Sequence, residues 1–178
     1  QGSDWCYDDP RWTDRLRAQA SVISELAERK ALPMKLSWVD YGCGDGKLSD
    51  MLGKYGLPVR KFDRYMSRKG YLTEQELAAT KYDLVISTST FEHACSIEPL
   101  DEIAGLVAES GILALHTLVR ESIPNDPDWF YLLPVHCTFF TNRSMQVLFD
   151  RWGFTNSVLS STRRPAFSQT QDAGLFPE

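Results

Sequence analysis

The sequence predicts one doubly wound α/β domain, a mostly parallel sheet with helices on both faces, and three observations predict it. First, Leu36 to Tyr41 reads as a short buried strand. It runs into a turn holding Gly42, Gly44 and Gly46, after which Leu48, Met51 and Leu52 recur at helical spacing. Second, the run Leu57 to Phe62 ends on an acid, Asp63. Third, Leu84 to Ser87 is continuous and apolar, as a strand covered on both faces must be. A chain of 178 residues is the size of a single domain.

Three segments are expected. Residues 1–35 are an aromatic stretch (Trp5, Tyr7, Trp12) followed by a helix that begins at Asp9-Pro10, a capping side chain before a proline. Leu16, Ala20, Ile23 and Ala27 fall on its apolar face, with Arg15, Arg17, Glu25 and Glu28 placed largely off it. Residues 36–162 are the core. Between Asp63 and Asp83 the pattern Thr73-Glu74-Gln75-Glu76 is a capping box, so a short helix is expected there and the third-strand region is abbreviated. A helix is expected over 98–108 and a strand over 111–119. The connection 120–140 is rich in proline, aspartate and aromatics, and connections this long usually carry function. Thr141 caps a helix ending near Trp152, Gly153 stops it, and a strand covers 154–160. Residues 163–178 are a weakly patterned tail in which a last strand is present, irregular or absent.

Composition narrows the partners. A net charge of −5 argues against a nucleic acid held through its phosphates. The local basic run Arg60, Lys61, Arg64, Arg68 and Lys69 reads as a solvated loop. Cys6, Cys43, Cys95 and Cys137 are scattered without a Cys-x-x-Cys pair, which suits reduced thiols in a cytoplasm better than a disulfide framework or structural zinc. No apolar run reaches membrane-spanning length, so no membrane partner is expected.

The glycine turn separates two kinds of nucleotide site. A dinucleotide fingerprint needs glycine at its sixth position, and that position, counted from Gly42, is Lys47. A nicotinamide oxidoreductase is therefore disfavoured. Asp63, at the end of the second strand, has the position from which a carboxylate accepts from both ribose hydroxyls. Ligands of such a sheet bind outside the carboxyl ends of the strands. That places residues 40–46, Asp63 with Arg64, 87–93 and the connection after Val119 around one cleft.

Asp40-x-Gly42-x-Gly44-x-Gly46, Asp63, Tyr82-Asp83-Leu84-Val85-Ile86-Ser87 and Phe91-Glu92-His93 together resemble the class I S-adenosylmethionine-dependent methyltransferases. His136-Cys137-Thr138-Phe139-Phe140-Thr141, running into Leu148 to Phe154, is similar to their small-molecule branch, of methyltransferase type 11/23. The resemblance covers roughly residues 36 to 160. It implies a Rossmann-like fold, S-adenosyl-L-methionine as cofactor, and an N-terminal helix lying over it. The implied cofactor-binding residues are Asp40, Gly42, Cys43, Gly44, Asp63, Arg64, Ser87 and Thr88. It further implies methyl transfer to a small molecule or glycan, O-methylation first, with His136, His93 and Asp128 as catalytic candidates. His116, inside a strand, reads as a core residue. The alternative is a non-catalytic cofactor-binding or regulatory domain, and the intact Asp40, Gly42, Gly44 and Asp63 favour the enzyme. Glu92-His93 with a later His136 also resembles methyltransferases that hold a divalent metal. Their pattern carries a glutamate three residues before the pair, where this chain has Ser89, so no metal is expected.

Overall fold

A computed structural model of the protein describes residues 9–33, 37–158 and 166–169. In chain order these form α1 (Pro10–Glu28), β1 (Trp38–Tyr41), α2 (Lys47–Lys54), β2 (Arg60–Phe62), α3 (Glu74–Ala78), β3 (Tyr82–Thr88), α4 (Glu98–Gly105) and β4 (Val107–His116). β5 (Val119–Arg120), β6 (Phe140–Thr141), α5 (Asn142–Trp152), β7 (Asn156–Val158) and β8 (Ala166–Gln169) follow. Trp5, Cys6, Tyr7, Leu36 and most of the tail lie outside the described residues.

Six strands form one sheet in the order β2-β1-β3-β4-β8-β7. The first four run parallel, and β8 is antiparallel to both β4 and β7. The chain leaves β1 to one side for β2 and returns to its other side for β3, so strand order reverses at β1. Crevices at such a reversal are where ligands bind.

Side chains alternate between the two faces along each strand. Trp38, Leu84, Ile86, Ile112 and Ala114 pack against Leu16, Ala20 and Ile23 of α1 and Leu48 and Leu52 of α2. Val39, Val85, Leu113 and Leu115 pack on the opposite face with Leu77, Leu100, Ile103, Met145 and Phe149 from α3, α4 and α5. Helices thus cover both faces, as the apolar runs require.

No strand separates Phe62 from Tyr82 apart from a single bridge between Lys61 and Tyr71. α3 stands there instead, with the expected box: Thr73 Oγ1 accepts from the Glu76 N–H at 3.2 Å and Glu76 Oε2 from the Thr73 N–H at 2.8 Å. β2 is left as the sheet edge.

Two boundaries differ from expectation. α4 stops at Gly105 rather than running to Ala108, because residues 107–111 are drawn into β4. There Tyr82 pairs with Val107 but Leu84 with Ile112, so the extra residues loop out as a bulge. β4 ends at His116. Val119–Arg120 instead pairs in parallel with Phe140–Thr141, closing the long connection at its base. In the tail, where the sequence leaves a last strand open, Ala166–Gln169 is a strand of the main sheet.

The cysteine expectation is corrected. Cys95 and Cys137 form a disulfide, while Cys43 is a free thiol. Folding brings the pair together: the Cys137 and Thr138 N–H groups both donate to Glu92 O, at 2.8 and 3.1 Å, and the Thr138 hydroxyl donates to Ala94 O. Sequence spacing carries no trace of such a long-range contact. No helix among the described residues is long and apolar enough to cross a membrane.

Candidate active site

The glycine turn closes on the end of β2. Gly42 and Cys43 donate to Phe62 O at 2.8 and 3.1 Å, and Gly42, Gly44 and Gly46 all have positive φ, 73°, 55° and 80°. Side chains disfavour that backbone region. A Cβ on Gly42 would stand 2.5 Å from Thr90 Oγ1, so the turn and the segment after β3 touch directly.

Asp63 fastens the same turn. Its Oδ2 accepts from the Gly44 N–H at 2.8 Å, and its Oδ1 from the Tyr65 and Met66 N–H groups at 2.9 Å each. A carboxylate offers about four lone-pair positions. Three are taken here, so Oδ2 keeps one for a ligand hydroxyl. Arg64 turns away from the turn and pairs with both Glu102 oxygens at 2.8 Å. Tyr41 donates to the same carboxylate at 3.1 Å.

Asp40 is buried and accepts from the Ser49 hydroxyl at 2.8 Å through Oδ2. Burial pushes its carboxyl up to about 7, partly opposed by the Ser49 hydrogen bond. Burial likewise raises the Cys43 thiol, with the Asp40 charge adding to it. Ser87 and Thr88 are buried at the end of β3.

Several buried polar atoms around this point have no hydrogen-bond partner. They are Asp40 Oδ1, Ser87 Oγ, Ser89 Oγ, His116 Nδ1, both ends of the Gln19 amide, and Arg15 Nε and Nη2. Unpartnered buried groups are rare in folded proteins. These come from the carboxyl ends of β1, β3 and β4 and from α1. The sequence reading set Arg15 off the buried face and did not single out Gln19; yet Arg15 is half-buried, its guanidinium 3.8 Å above the Trp12 ring. Burial lowers its affinity for a proton, and the charges of Glu92 and Tyr131 counter that. Its position four residues before Gln19, which itself stands three after Leu16 and four before Ile23, was the available signal.

On the other side of Thr90 the chain is strained. Ser89, a non-glycine, has φ 54° and donates its N–H to His116 O at 2.8 Å. A single 3-10 turn, Phe91–His93, follows. Phe91 is buried, and so is Glu92, whose Oε2 accepts from the Thr117 hydroxyl at 3.0 Å. His93 is exposed and its Nδ1–H donates to Val135 O at 2.8 Å. His136 is half-buried and its Nδ1–H donates to Tyr131 O at 2.8 Å.

The two imidazoles meet edge to face with centroids 5.0 Å apart, and the Tyr131 ring lies 4.3 Å from His136. Trp129 is buried behind them against Phe139, 5.3 Å away. Asp128 is exposed on the same segment, its N–H donating to Asp126. His93 and His136 are therefore brought together, while Asp128 faces solvent.

A family model described as a methyltransferase domain matches residues 11–158. The chain belongs to that family. The methyltransferase takes its methyl group from S-adenosylmethionine. Its fold is similar to magnesium protoporphyrin IX methyltransferase from Synechocystis with bound S-adenosylhomocysteine, at 19% identity and a TM-score of 0.57, covering 96% of this chain and 90% of that one. DesVI from Streptomyces venezuelae gives 16% and 0.61, with 91% and 94% covered. Human N-acetylserotonin methyltransferase gives 12% and 0.58, with 94% and 61% covered. Among curated proteins none matches the chain.

The residues fit the donor. It carries a carboxylate, an ammonium and a ribose, and the methyltransferase sets out a half-buried cation without hydrogen-bond partners at Arg15 Nε and Nη2, a buried acid with a free oxygen at Asp40, and the remaining lone pair of Asp63. A pH effect follows. Asp40 ionises near pH 3.8 in an unfolded chain and near pH 7 when folded, so its contribution to stability is fully present below about pH 4 and is lost as pH rises from there to about 7. An ammonium beside it would favour the ionised form. S-adenosylhomocysteine binding at pH 6 is therefore expected to release a proton, which calorimetry in two buffers of different ionisation enthalpy measures. Asp40→Asn should remove that release; binding that is pH-independent from 5 to 8 would contradict it.

Proposed function

We propose that the methyltransferase O-methylates a small polar molecule, a sugar or glycan hydroxyl being the acceptor class. The observation that carries this reading is His136. A carbonyl oxygen only accepts, so its Nδ1 holds a proton against Tyr131 O and its Nε2 keeps a lone pair. The imidazole lies 4.3 Å from the half-buried Tyr131 ring, an apolar face of the kind that sugar rings pack against, with the buried Trp129 behind Tyr131.

Bound S-adenosylmethionine supplies a methyl group already activated by its sulfonium. The protein's own part is to hold the acceptor oxygen in line and to receive its proton. Alignment contributes up to about 7–11 kcal/mol, and a positioned base a factor of about 10² to 10⁴. We assign the proton to His136, the neighbouring imidazole position to His93, and contact with outlying acceptor hydroxyls to the exposed Asp128. Asp40, Gly42, Cys43, Gly44, Asp63, Ser87 and Thr88 form the donor side, with Arg64 bracing Asp63 through its pairing with Glu102. Residues 36–162 act as the donor-binding core, and the helix of residues 1–35 covers it. A cytoplasmic location belongs to the same reading, and there the Cys95–Cys137 pair would meet reducing conditions.

The test is His136→Ala against a panel of sugars and small phenols. Turnover is expected to fall at least about tenfold, with S-adenosylhomocysteine affinity within about twofold of wild type. Equal losses of both would mark a structural histidine, and wild-type turnover would end its assignment as base.

A further inference from the structure

We propose that Glu92, His93 and His136 bind one divalent first-row transition ion at the carboxyl end of β3. One ligand atom from each residue lies within 4.8 Å of the others. The chemistry of the three is already selected. His93 and His136 each spend Nδ1–H on a backbone carbonyl, Val135 O and Tyr131 O, at 2.8 Å. Both Nε2 atoms are thereby left as lone pairs, and a carbonyl behind the far ring nitrogen is the usual support of a metal-bound imidazole. Between them Glu92 brings a carboxylate that is only 3% exposed. A buried charge at that depth needs compensation; the Thr117 hydroxyl and the Arg15 charge supply part of it, and a bound cation would supply more.

The frame is rigid. Glu92 O holds the Cys137 and Thr138 N–H groups, and the Thr138 hydroxyl donates to Ala94 O, which ties the segment after His136 to the turn that carries His93. Ligand bonds of about 2.0–2.2 Å would draw the three ligand atoms closer together than the 4.8 Å within which they now lie. Two imidazoles with one carboxylate suit zinc, iron or manganese, whereas magnesium and calcium select oxygen donors. Three protein ligands leave the ion positions open. An acceptor hydroxyl taking one of them would lose its proton more readily, and His136 would then serve as ligand rather than base. This last point rests on the acceptor-site assignment above; ion binding itself does not.

The untagged full chain, stripped with chelator, would be titrated with Co2+ followed by visible absorption and with Zn2+ by calorimetry. One equivalent is expected, weakened at least about tenfold in His93→Ala and in His136→Ala, and Co2+ should resist a large excess of Mg2+. Because Glu92→Gln touches a buried site, the exposed His93 carries the test, with melting temperature and S-adenosylhomocysteine binding confirming the fold. Binding no tighter than that of a His93→Ala/His136→Ala double variant overturns the proposal, as does displacement by Mg2+. If no ion binds while His136→Ala still loses turnover, the ion fails and the base assignment stands. If Co2+ binds and His136→Ala turns over normally, the reverse holds.

Discussion

Gly42→Val is expected to abolish S-adenosylhomocysteine binding and to lower the melting temperature. Gly42 sits at φ 73°, a region that costs an ordinary residue about 1–2 kcal/mol and a β-branched one more. The new Cβ would also fall 2.5 Å from Thr90 Oγ1, and real contacts are never that close. Either Gly42 moves, breaking its hydrogen bond to Phe62 O, or Thr90 moves and takes the Phe91–His93 turn with it. The two costs can be separated. Gly42→Ala with Thr90→Ala removes the clash and leaves only the backbone strain, so it should recover part of the stability lost in Gly42→Ala alone. A Gly42→Val protein that binds at wild-type affinity would refute the close approach.

Asp63→Ala is expected to weaken S-adenosylhomocysteine by about 1.5–3 kcal/mol, the range for hydrogen bonds to a charged group, or roughly 10- to 150-fold. Part of that loss is indirect. The substitution frees the Gly44, Tyr65 and Met66 N–H groups, so the glycine turn loses its fastening along with the proposed ribose contact. Asp63→Asn keeps one acceptor oxygen and should fall between wild type and alanine. Calorimetry showing unchanged affinity in folded Asp63→Ala would remove the ribose assignment.

The donor half was legible because its chemistry is local. Three glycines at alternate positions need left-handed backbone, and an acid ending an apolar run must sit at a strand end, so Gly42 to Gly46 and Asp63 could be placed without knowing the fold. β1 and β3 followed from the same kind of evidence, uninterrupted apolar runs. Family resemblance and strand ends, not a local residue pattern, set His93 and His136 at one cleft. His93 and His136 are far apart in sequence, and their meeting depends on two backbone hydrogen bonds to Glu92 O that no spacing rule contains. The α4–β4 boundary failed because Ala108 and Glu109 favour helix locally, whereas pairing of Val107 and Ile112 with β3 carried the residues between them into a bulge. Arg15 was read by helical period as peripheral, yet packing on Trp12 turned its guanidinium inward.

The two-residue ladder that joins Val119–Arg120 to Phe140–Thr141 has an evolutionary consequence. It brings the entry and exit of residues 121–139 side by side, so the whole stretch behaves as a cassette clipped onto a finished scaffold. The donor turn, the sheet register and the α5 cap at Thr141 lie outside it, and it meets the rest of the fold at the turn of Glu92 and His93. Under the assignment proposed above, a lineage built this way would change its acceptor by rewriting one insert, because the glycine turn and Asp63 lie outside it.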